Sequence, residues 1–410
     1  MRKIHLRVLS IVLVASCAAT PSSNGLAGAI EKPELPTSTG THEITVHSQA
    51  LDELRVVRVR LPKDYDSSTR RFPVLFVLDA EWHFNLAAAD VEFLSECSYL
   101  QPHPIPQMIV VGIVNVDRNR DFTPTRVEAV RNMSFPTSGE ARKFRRFLLD
   151  EVLPTIDRTY RTAPYRVLAG WSLGGLFTVD TLLEDSSAFA AYLAISPSLW
   201  WDNQLTLKSL TAEKAVTKPV EAKELVITLG TAEQETMVAN STNEFVRIVG
   251  ETPLENVTVE LVPIDGLGHN YSPVMAFFMG MATVFADWNL PAEVLEKDLA
   301  ALEAHYASMS ARYHFAIPVP EDAFSKLGWK LFEAGRKDES GEVFRTWVER
   351  YPQSAVASAS LGSYYREAGD RELAVAYLKK GLEFEEQSSS PRPEFIGGLR
   401  RDIDALSTEN

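Results

Sequence analysis

Cysteine is nearly absent from this chain of 410 residues, which contains only Cys17 and Cys97. Cys17 lies in a segment that we expect to act as an export signal, so Cys97 has no intramolecular disulfide partner after processing. A large packed core must therefore supply the stability of the fold. Cys97 falls in an apolar stretch with helical spacing, which predicts a buried and unreactive thiol.

An excess of positive charge is also lacking, because the formal net charge is −14 at pH 7. A nucleic-acid partner would need a basic face, so this class of partner is not expected. Metal-binding motifs are missing as well, since no H-E-x-x-H occurs and the cysteines lack the spacing of a zinc site. The sequence GWSLGG lacks the lysine of a phosphate-binding loop. We therefore predict no metal and no cofactor.

The N-terminal apolar run, residues 8–15, is too short to span a bilayer. A basic start precedes it, and the pattern predicts an export signal within residues 1–29. The sequence VASC resembles a bacterial lipobox, in which Cys17 becomes the lipid-bearing first residue of the mature chain. Cleavage after Ala29, which yields a free exported form, is the alternative. Both place the mature chain outside the cytoplasm, either in the periplasm or anchored by lipid to a bacterial membrane.

The chain after this signal divides by pattern. Residues 30–41 are rich in Ser, Pro, Thr and Gly, which is typical of a linker. Residues 42–290 begin with a predicted hairpin and then alternate continuous apolar runs with helical patterns. Such runs are typical of strands buried on both faces of a sheet. The predicted fold class is therefore α/β, a mostly parallel sheet flanked by helices, with its active loops at the carboxyl ends of the strands.

The C-terminal part has a different, purely helical pattern. A connecting helix is predicted over 291–317, and a tail over 389–410. Between them, in 318–388, Leu327-Gly328 recurs 34 residues later as Leu361-Gly362, which predicts two tetratricopeptide-like repeats. The alternative is a coincidental pair of helical hairpins. Two repeats rarely bury a stable core alone, so we expect them to dock on the α/β body or on another chain, through self-association or a protein partner.

Ser172 lies at the junction of a strand pattern and a helix pattern, in the sequence YRVLAGWSLGGLFTVDTLL. The Gly-x-Ser-x-Gly spacing suits a sharp turn that exposes a serine hydroxyl, because only glycine allows the backbone to approach so closely. The helix start also offers free N–H groups to a developing oxyanion. An ordinary tight turn is the alternative, but the strand–helix context favours a nucleophile.

A serine nucleophile needs a base, and His269 is the histidine that follows Ser172 within the alternating region. It lies in a glycine-rich loop directly after a strand pattern. The acid that orients the base should lie between the two, after another strand. Glu233 is the favoured acid, while Asp202 and Asp265 are the competing carboxylates.

Six segments together resemble the bacterial esterase family related to enterochelin esterases, feruloyl esterases and mycolyltransferases, which has the α/β-hydrolase fold. In chain order they are FPVLFVLDAEWHF, IVVGIVNVDRNRDFTP, LAGWSLGG, SPSLWW, LGTAEQE and GLGHNYSP, and they span about residues 42 to 290. The resemblance implies that Glu233 and His269 complete a triad with Ser172. It also implies that the backbone N–H groups of Leu173 and Glu81 bind the oxyanion.

The resemblance further places Arg118 near the substrate, and we predict that Trp171 and Trp201 line the same site. The alternatives are a surface salt bridge for Arg118 and simple packing for the tryptophans. The expected function is an exported serine esterase that acts on a small-molecule ester through an acyl-enzyme. Transfer of the acyl group to an alcohol and a non-catalytic binding scaffold are the two alternatives. The motifs do not name the ester.

Overall fold

A computed structural model of the chain describes residues 40–97, 104–211, 219–233, 236–388 and 390–408. The predicted export signal, Cys17 and nearly all of the predicted linker lie outside these ranges. Within them, every helix is too short or too polar to cross a membrane.

In the described ranges, ten strands form two sheets. The strands are β1 Thr41–Ser48, β2 Glu53–Arg60, β3 Phe72–Val77, β4 Ile109–Ile113, β5 Ala129–Val130, β6 Met133–Ser134, β7 Thr162–Trp171, β8 Ala191–Ile195, β9 Lys223–Gly230 and β10 Val257–Ile264. The large sheet has the order β1-β2-β4-β3-β7-β8-β9-β10, and β5 pairs only with β6. The pairs β1–β2 and β2–β4 are antiparallel, and all later neighbours are parallel.

The helices that flank and follow the sheet are α1 Ala80–Glu96, α2 Arg118–Phe122, α3 Ala141–Arg146, α4 Leu153–Thr159, α5 Leu173–Glu184, α6 Trp201–Thr211, α7 Met237–Glu251, α8 Pro273–Val284, α9 Ala292–Leu295, α10 Leu299–Tyr313, α11 Glu321–Glu333, α12 Lys337–Arg350, α13 Ala355–Ala368, α14 Arg371–Glu386 and α15 Pro393–Thr408. A π-helical turn, Phe147–Val152, joins α3 to α4. Short 3₁₀ turns occupy Thr231–Glu233 and Ala286–Trp288.

Burial explains why the strands have two kinds of sequence. Strands β3, β4 and β8 are buried at every residue, so their sequences are continuous apolar runs. Strand β1 alternates exposed and half-buried residues, as an edge strand with one covered face should. The mostly parallel sheet flanked by helices, predicted from the sequence, is confirmed, and so is its N-terminal hairpin.

The strand order positions the site. The chain passes from β3 to β4 on one side of β3, and β7 then pairs on the other side. Loops at the carboxyl ends of β3 and β7 therefore meet where the order reverses, which is where parallel sheets bind ligands. Ser172 follows β7, Glu233 follows β9 and His269 follows β10, so all three predicted residues lie at this edge.

The C-terminal helices pack as two hairpins, α11–α12 and α13–α14. The repeated glycines explain the 34-residue offset, because each allows two helices to approach closely. A Cβ on Gly328 would lie 2.7 Å from the ring of Phe344, and one on Gly362 would lie 2.8 Å from Cγ of Leu378. The tetratricopeptide assignment itself stays a prediction.

The apolar face of these helices packs on the connecting helices α9 and α10, which in turn pack on the α/β body. One continuous cluster of buried side chains runs from Val226 in the sheet through Tyr313 of α10 to Phe344 and Leu361. The predicted tail contains α15, whose Leu399 packs in a second cluster with Leu378. Cys97 directly follows α1 and is half-buried, so the prediction of a buried thiol is wrong.

Candidate active site

Ser172 occupies a strained turn between β7 and α5. Its φ is 58° and its ψ is −113°, a conformation that costs a residue with a side chain about 1–3 kcal/mol. The turn is held on both sides, because Ser172 N donates to Ile195 O at 2.9 Å and Ser198 N donates to Ser172 O at 2.9 Å. Gly170 is required here, since a Cβ on it would lie 2.4 Å from Gly174 O.

His269 contacts both predicted partners. Its Nε2 lies 3.0 Å from Ser172 Oγ, and its Nδ1 lies 2.9 Å from Glu233 Oε2. The side chain of His269 is 29% exposed and that of Glu233 only 1% exposed, so the imidazole opens to solvent while the carboxyl group is buried. With these contacts, the Nδ1–H group can donate a hydrogen bond to the Glu233 carboxylate while Nε2 is free to accept the proton of the Ser172 hydroxyl.

The two competing carboxylates lie elsewhere. Asp202 accepts a hydrogen bond from Thr125 Oγ1 at 2.7 Å, and Asp265 is exposed and accepts one from Thr231 Oγ1 at 3.1 Å. Glu233 is therefore the one of the three candidate acids that hydrogen-bonds to His269 in the structure.

Serine hydroxyls surround Glu233 and Ser172. Ser196 Oγ donates to Glu233 Oε1 at 2.6 Å, and Gly230 N donates to the same oxygen at 3.3 Å. Ser198 Oγ lies 3.2 Å from Ser172 Oγ. The sequence prediction missed both serines, although they stand in the SPSLWW segment, because nothing in that segment indicates which hydroxyl faces a carboxylate.

The side chain of Trp171 contacts His269. Its Nε1 donates to His269 O at 3.0 Å, and the two ring centroids lie 4.9 Å apart. On its other side lies His83 of α1, at 5.6 Å between centroids, and burial lowers the pKa of His83. Trp82, which is 57% exposed, lies 6.4 Å from Trp171 and forms an apolar rim at the site.

The predicted oxyanion donors lie at two helix starts that adjoin each other. Leu173 begins α5 and Glu81 is the second residue of α1, so neither backbone N–H has a carbonyl acceptor in its own helix. A Cβ on Gly174 would lie 3.2 Å from Asp79 Oδ2, which shows how closely the two turns approach. The side chain of Glu81 accepts from Asn115 Nδ2 at 2.7 Å.

Arg118 joins these two turns. Its Nε donates to Asp79 Oδ1 at 2.7 Å, and its Nη2 donates to Asp79 Oδ2 at 3.2 Å and to Trp171 O at 3.0 Å. The guanidinium also lies over the rings of Trp82 and Trp171. Asp79 is fully buried and Arg118 is 19% exposed, so this is not the surface salt bridge of the alternative interpretation.

Trp201 does not line the site. It is 1% exposed, its Nε1 donates to Thr125 Oγ1 at 3.2 Å, and its ring packs 5.0 Å from that of Phe135. The predicted substrate contact is therefore wrong for Trp201, because core side chains enclose its ring. Across the described ranges, no three His, Cys, Asp or Glu side chains converge as metal ligands would.

The sheet order and the strand–serine–helix turn are those of the α/β-hydrolase fold. A family described as "Putative esterase" matches residues 48–273, more than half of the chain. The chain belongs to this esterase family, and membership supports a hydrolase that acts on esters.

Characterised relatives match shorter stretches. Ferri-bacillibactin esterase BesA of Bacillus subtilis is 28% identical over 219 residues, which cover 48% of this chain and 73% of that protein. Siderophore enterobactin esterase of Emericella nidulans is 36% identical over 72 residues, 17% of this chain and 24% of that protein.

Solved structures show the same fold. An IroE-like serine hydrolase from Shewanella oneidensis has a TM-score of 0.63 at 23% identity and covers 74% of this chain and 98% of its own. An uncharacterised protein from Capnocytophaga ochracea has a TM-score of 0.62 at 17% identity, with 90% of this chain and 100% of that chain covered. At these identities the likeness establishes the fold.

Proposed function

We propose that the chain is an exported serine esterase that hydrolyses a small-molecule carboxylic ester. The observation that carries the proposal is the continuous hydrogen-bonded series Ser172 Oγ, His269 Nε2, His269 Nδ1 and Glu233 Oε2. A serine at its ordinary pKa is a weak nucleophile, and this series supplies the base that activates it. The proposed export rests on the N-terminal sequence. The exported chain would either carry lipid on Cys17 or be released as a free form.

The proposed reaction has two halves. Ser172 Oγ attacks the ester carbonyl carbon while its proton passes to His269 Nε2, and the carbonyl oxygen becomes an oxyanion held by the N–H groups of Leu173 and Glu81. The C–O bond to the alcohol then breaks, and His269 gives its proton to the leaving oxygen. Water attacks the acyl-enzyme in the same way, which releases the carboxylic acid and restores Ser172. Acyl transfer would use the same intermediate with an alcohol in place of water.

We infer the substrate class from the relatives and from the rim of the site. Both named relatives are siderophore esterases, so a siderophore ester is the first substrate to test. Arg118 and Trp82 present a partly exposed cation and an exposed aromatic ring beside the triad, which suits an ester with an anionic or aromatic part.

A fluorophosphonate probe and an ester panel test the function together. The wild type should incorporate one probe per chain and hydrolyse p-nitrophenyl acetate or a siderophore trilactone. Ser172→Ala should lose the label and at least about 10⁴-fold in kcat. Ser187→Ala is the matched control, because that exposed hydroxyl bonds only to Asp185 within the described structure. Labelling that persists in Ser172→Ala would refute the assignment of the nucleophile.

A further inference from the structure

We propose that Ser196 is a positioning residue that fixes the carboxyl group of Glu233 and, through it, the imidazole of His269. This role rests on the proposed function and adds a residue that the triad itself does not include. Ser196 directly follows β8, between the strand that precedes Ser172 and the strand that precedes Glu233 in the sheet. Ser196 is fully buried, so it lies away from the solvent-accessible side of the site.

The two carboxylate oxygens of Glu233 have different hydrogen-bond donors. A carboxylate only accepts, so the hydroxyl of Ser196 must donate its proton in the 2.6 Å contact with Oε1. The backbone N–H of Gly230 reaches the same oxygen at 3.3 Å. Oε2 is thereby left to His269 Nδ1, 2.9 Å away. Two donors on Oε1 fix the plane of the carboxyl group, which otherwise rotates freely about its last bond.

A second hydroxyl closes this arrangement into a ring. Ser272 Oγ lies 3.1 Å from Ser196 Oγ and donates to His269 O at 3.2 Å. The hydroxyl proton of Ser196 is already donated in the hydrogen bond to Glu233, so its oxygen accepts the hydrogen bond from Ser272. Ser272 thus shares one proton between the hydroxyl of Ser196 and the backbone of His269. The ring ties the loop that carries the base to the acid by a route that does not pass through the imidazole.

The backbone of Ser196 supports the same conclusion. Its φ is 40°, a value that glycine adopts without strain and serine does not. The residue is fully buried, and its N–H donates to Thr228 O at 2.8 Å, so the strand end holds it in this conformation. A serine kept where glycine would fit better indicates that the hydroxyl has a use, and its shortest contact is with Glu233.

Two substitutions separate the hydroxyl from the backbone. Ser196→Ala removes the hydroxyl and keeps the strain, whereas Ser196→Gly removes the hydroxyl and relieves the strain. Both should lower kcat about 10–100-fold, the effect of one hydrogen bond to a charged group, with KM changed less than about 3-fold. Thr242→Val is the matched control, because its buried Oγ1 has no hydrogen-bond partner among the described residues and it lies on α7, away from Ser196. That variant should keep wild-type kcat.

A double-mutant cycle tests whether Ser196 acts through the acid. Ser196→Ala combined with Glu233→Gln should be no slower than Glu233→Gln alone, because the group that Ser196 orients is already lost. Effects that multiply in the double variant, or a Ser196→Gly variant with wild-type kcat, would overturn the role. A wild type that neither hydrolyses esters nor binds the probe would refute the proposed function, and this role with it. An active wild type with an equally active Ser196→Ala would refute only the role of Ser196.

Discussion

A carboxylate has to reach Nδ1 of His269, and sequence spacing alone left three residues able to do so. Glu233 reaches it because the 3₁₀ turn after β9 carries it toward the loop after β10. The two loops cross closely: a Cβ on Gly230 would lie 2.2 Å from Leu267 O. Asp265, four residues before His269, points to Thr231 instead. The choice among the three therefore depends on how two loops cross, which the sequence pattern does not encode.

Replacing the acid by its amide tests this assignment. Glu233→Gln should lower kcat about 10³–10⁴-fold, because a neutral amide neither stabilises the imidazolium nor fixes the reactive tautomer. Asp202→Asn and Asp265→Asn are the matched controls and should change kcat less than about 3-fold, since neither contacts His269. Steady-state kcat and KM on one chromogenic ester measure all three. A Glu233→Gln variant with near-normal kcat would mean that another group orients the base.

Some residues of this candidate site could be predicted from the sequence and others could not, for definite reasons. Ser172 and His269 could be predicted because the strand–helix turn and the chain order leave local signatures. Ser196 left none, since a hydroxyl that bonds across strands has no periodicity. Trp201 was assigned wrongly because an aromatic pair does not reveal which ring faces inward. The backbone of Asp202 and of the next two residues has positive φ, so the chain adopts a left-handed conformation directly after Trp200 and Trp201.

At the scale of elements, the link between Asp79 and Arg118 holds three segments together. Asp79 has a φ of 55° and precedes α1, Arg118 begins α2, and the guanidinium reaches the carbonyl of Trp171 at the end of β7. The two helix starts that carry the predicted oxyanion donors are thus joined by one side chain. Without Arg118, the buried carboxylate of Asp79 would keep only the hydrogen bond from Asn115 Nδ2 at 2.6 Å among its side-chain contacts, and breaking a buried ion pair costs about 3–5 kcal/mol.

Arg118→Met should therefore lower the free energy of unfolding by about 3 kcal/mol, because Asp79 is fully buried. Adding Asp79→Asn should restore part of that loss, since the buried charge is then gone. Arg126→Met is the matched control, because its pair with Glu128 is solvent-exposed at both ends and contributes at most about 1 kcal/mol. Denaturant titrations of the four proteins give the comparison. Equal losses in Arg118→Met and Arg126→Met would show that the link does not hold the segments.

At the scale of the whole molecule, the large sheet and the C-terminal helices contribute side chains to one hydrophobic core. The pattern of the sequence predicted both parts, and the burial of Leu327, Phe344 and Leu361 follows from their helical spacing. It did not predict α15, because a Gly-Gly pair and a preceding Ser/Pro segment are typical of a tail. Tertiary packing of Leu399 and Ile403 overrides that local preference. What a repeat packs against depends on surfaces distant in sequence, so the sequence left docking on the α/β body and docking on another chain both open.

The ionisable residue Glu224 lies where the sheet contacts helix α10. Glu224 at the start of β9 lies 3.9 Å from Arg312 of α10, which also pairs with Asp287. Burial raises the pKa of Glu224 from 4.5 to about 7, and the charges of Glu260 and Asp287 act in the same direction against that of Arg312. The folded state therefore holds a proton that the unfolded state releases at lower pH.

The sign of the resulting pH dependence is fixed. The contribution of Glu224 to stability is fully present below pH 4.5 and is lost as the pH rises through about 7. Glu224→Gln keeps a neutral, hydrogen-bonding side chain at every pH, so it should match the wild type near pH 4.5. At pH 8 it should exceed the wild type by roughly 3 kcal/mol, the product of the shift and 1.36 kcal/mol per pKa unit. Calorimetry of both proteins from pH 4.5 to 8 measures this divergence, with Glu293→Gln, exposed on α9, as the control that should follow the wild type. If the difference in stability between Glu224→Gln and the wild type stays constant from pH 4.5 to 8, the pKa of Glu224 does not change on unfolding. The charge of Glu224 would then have no effect on how the sheet and the helices pack.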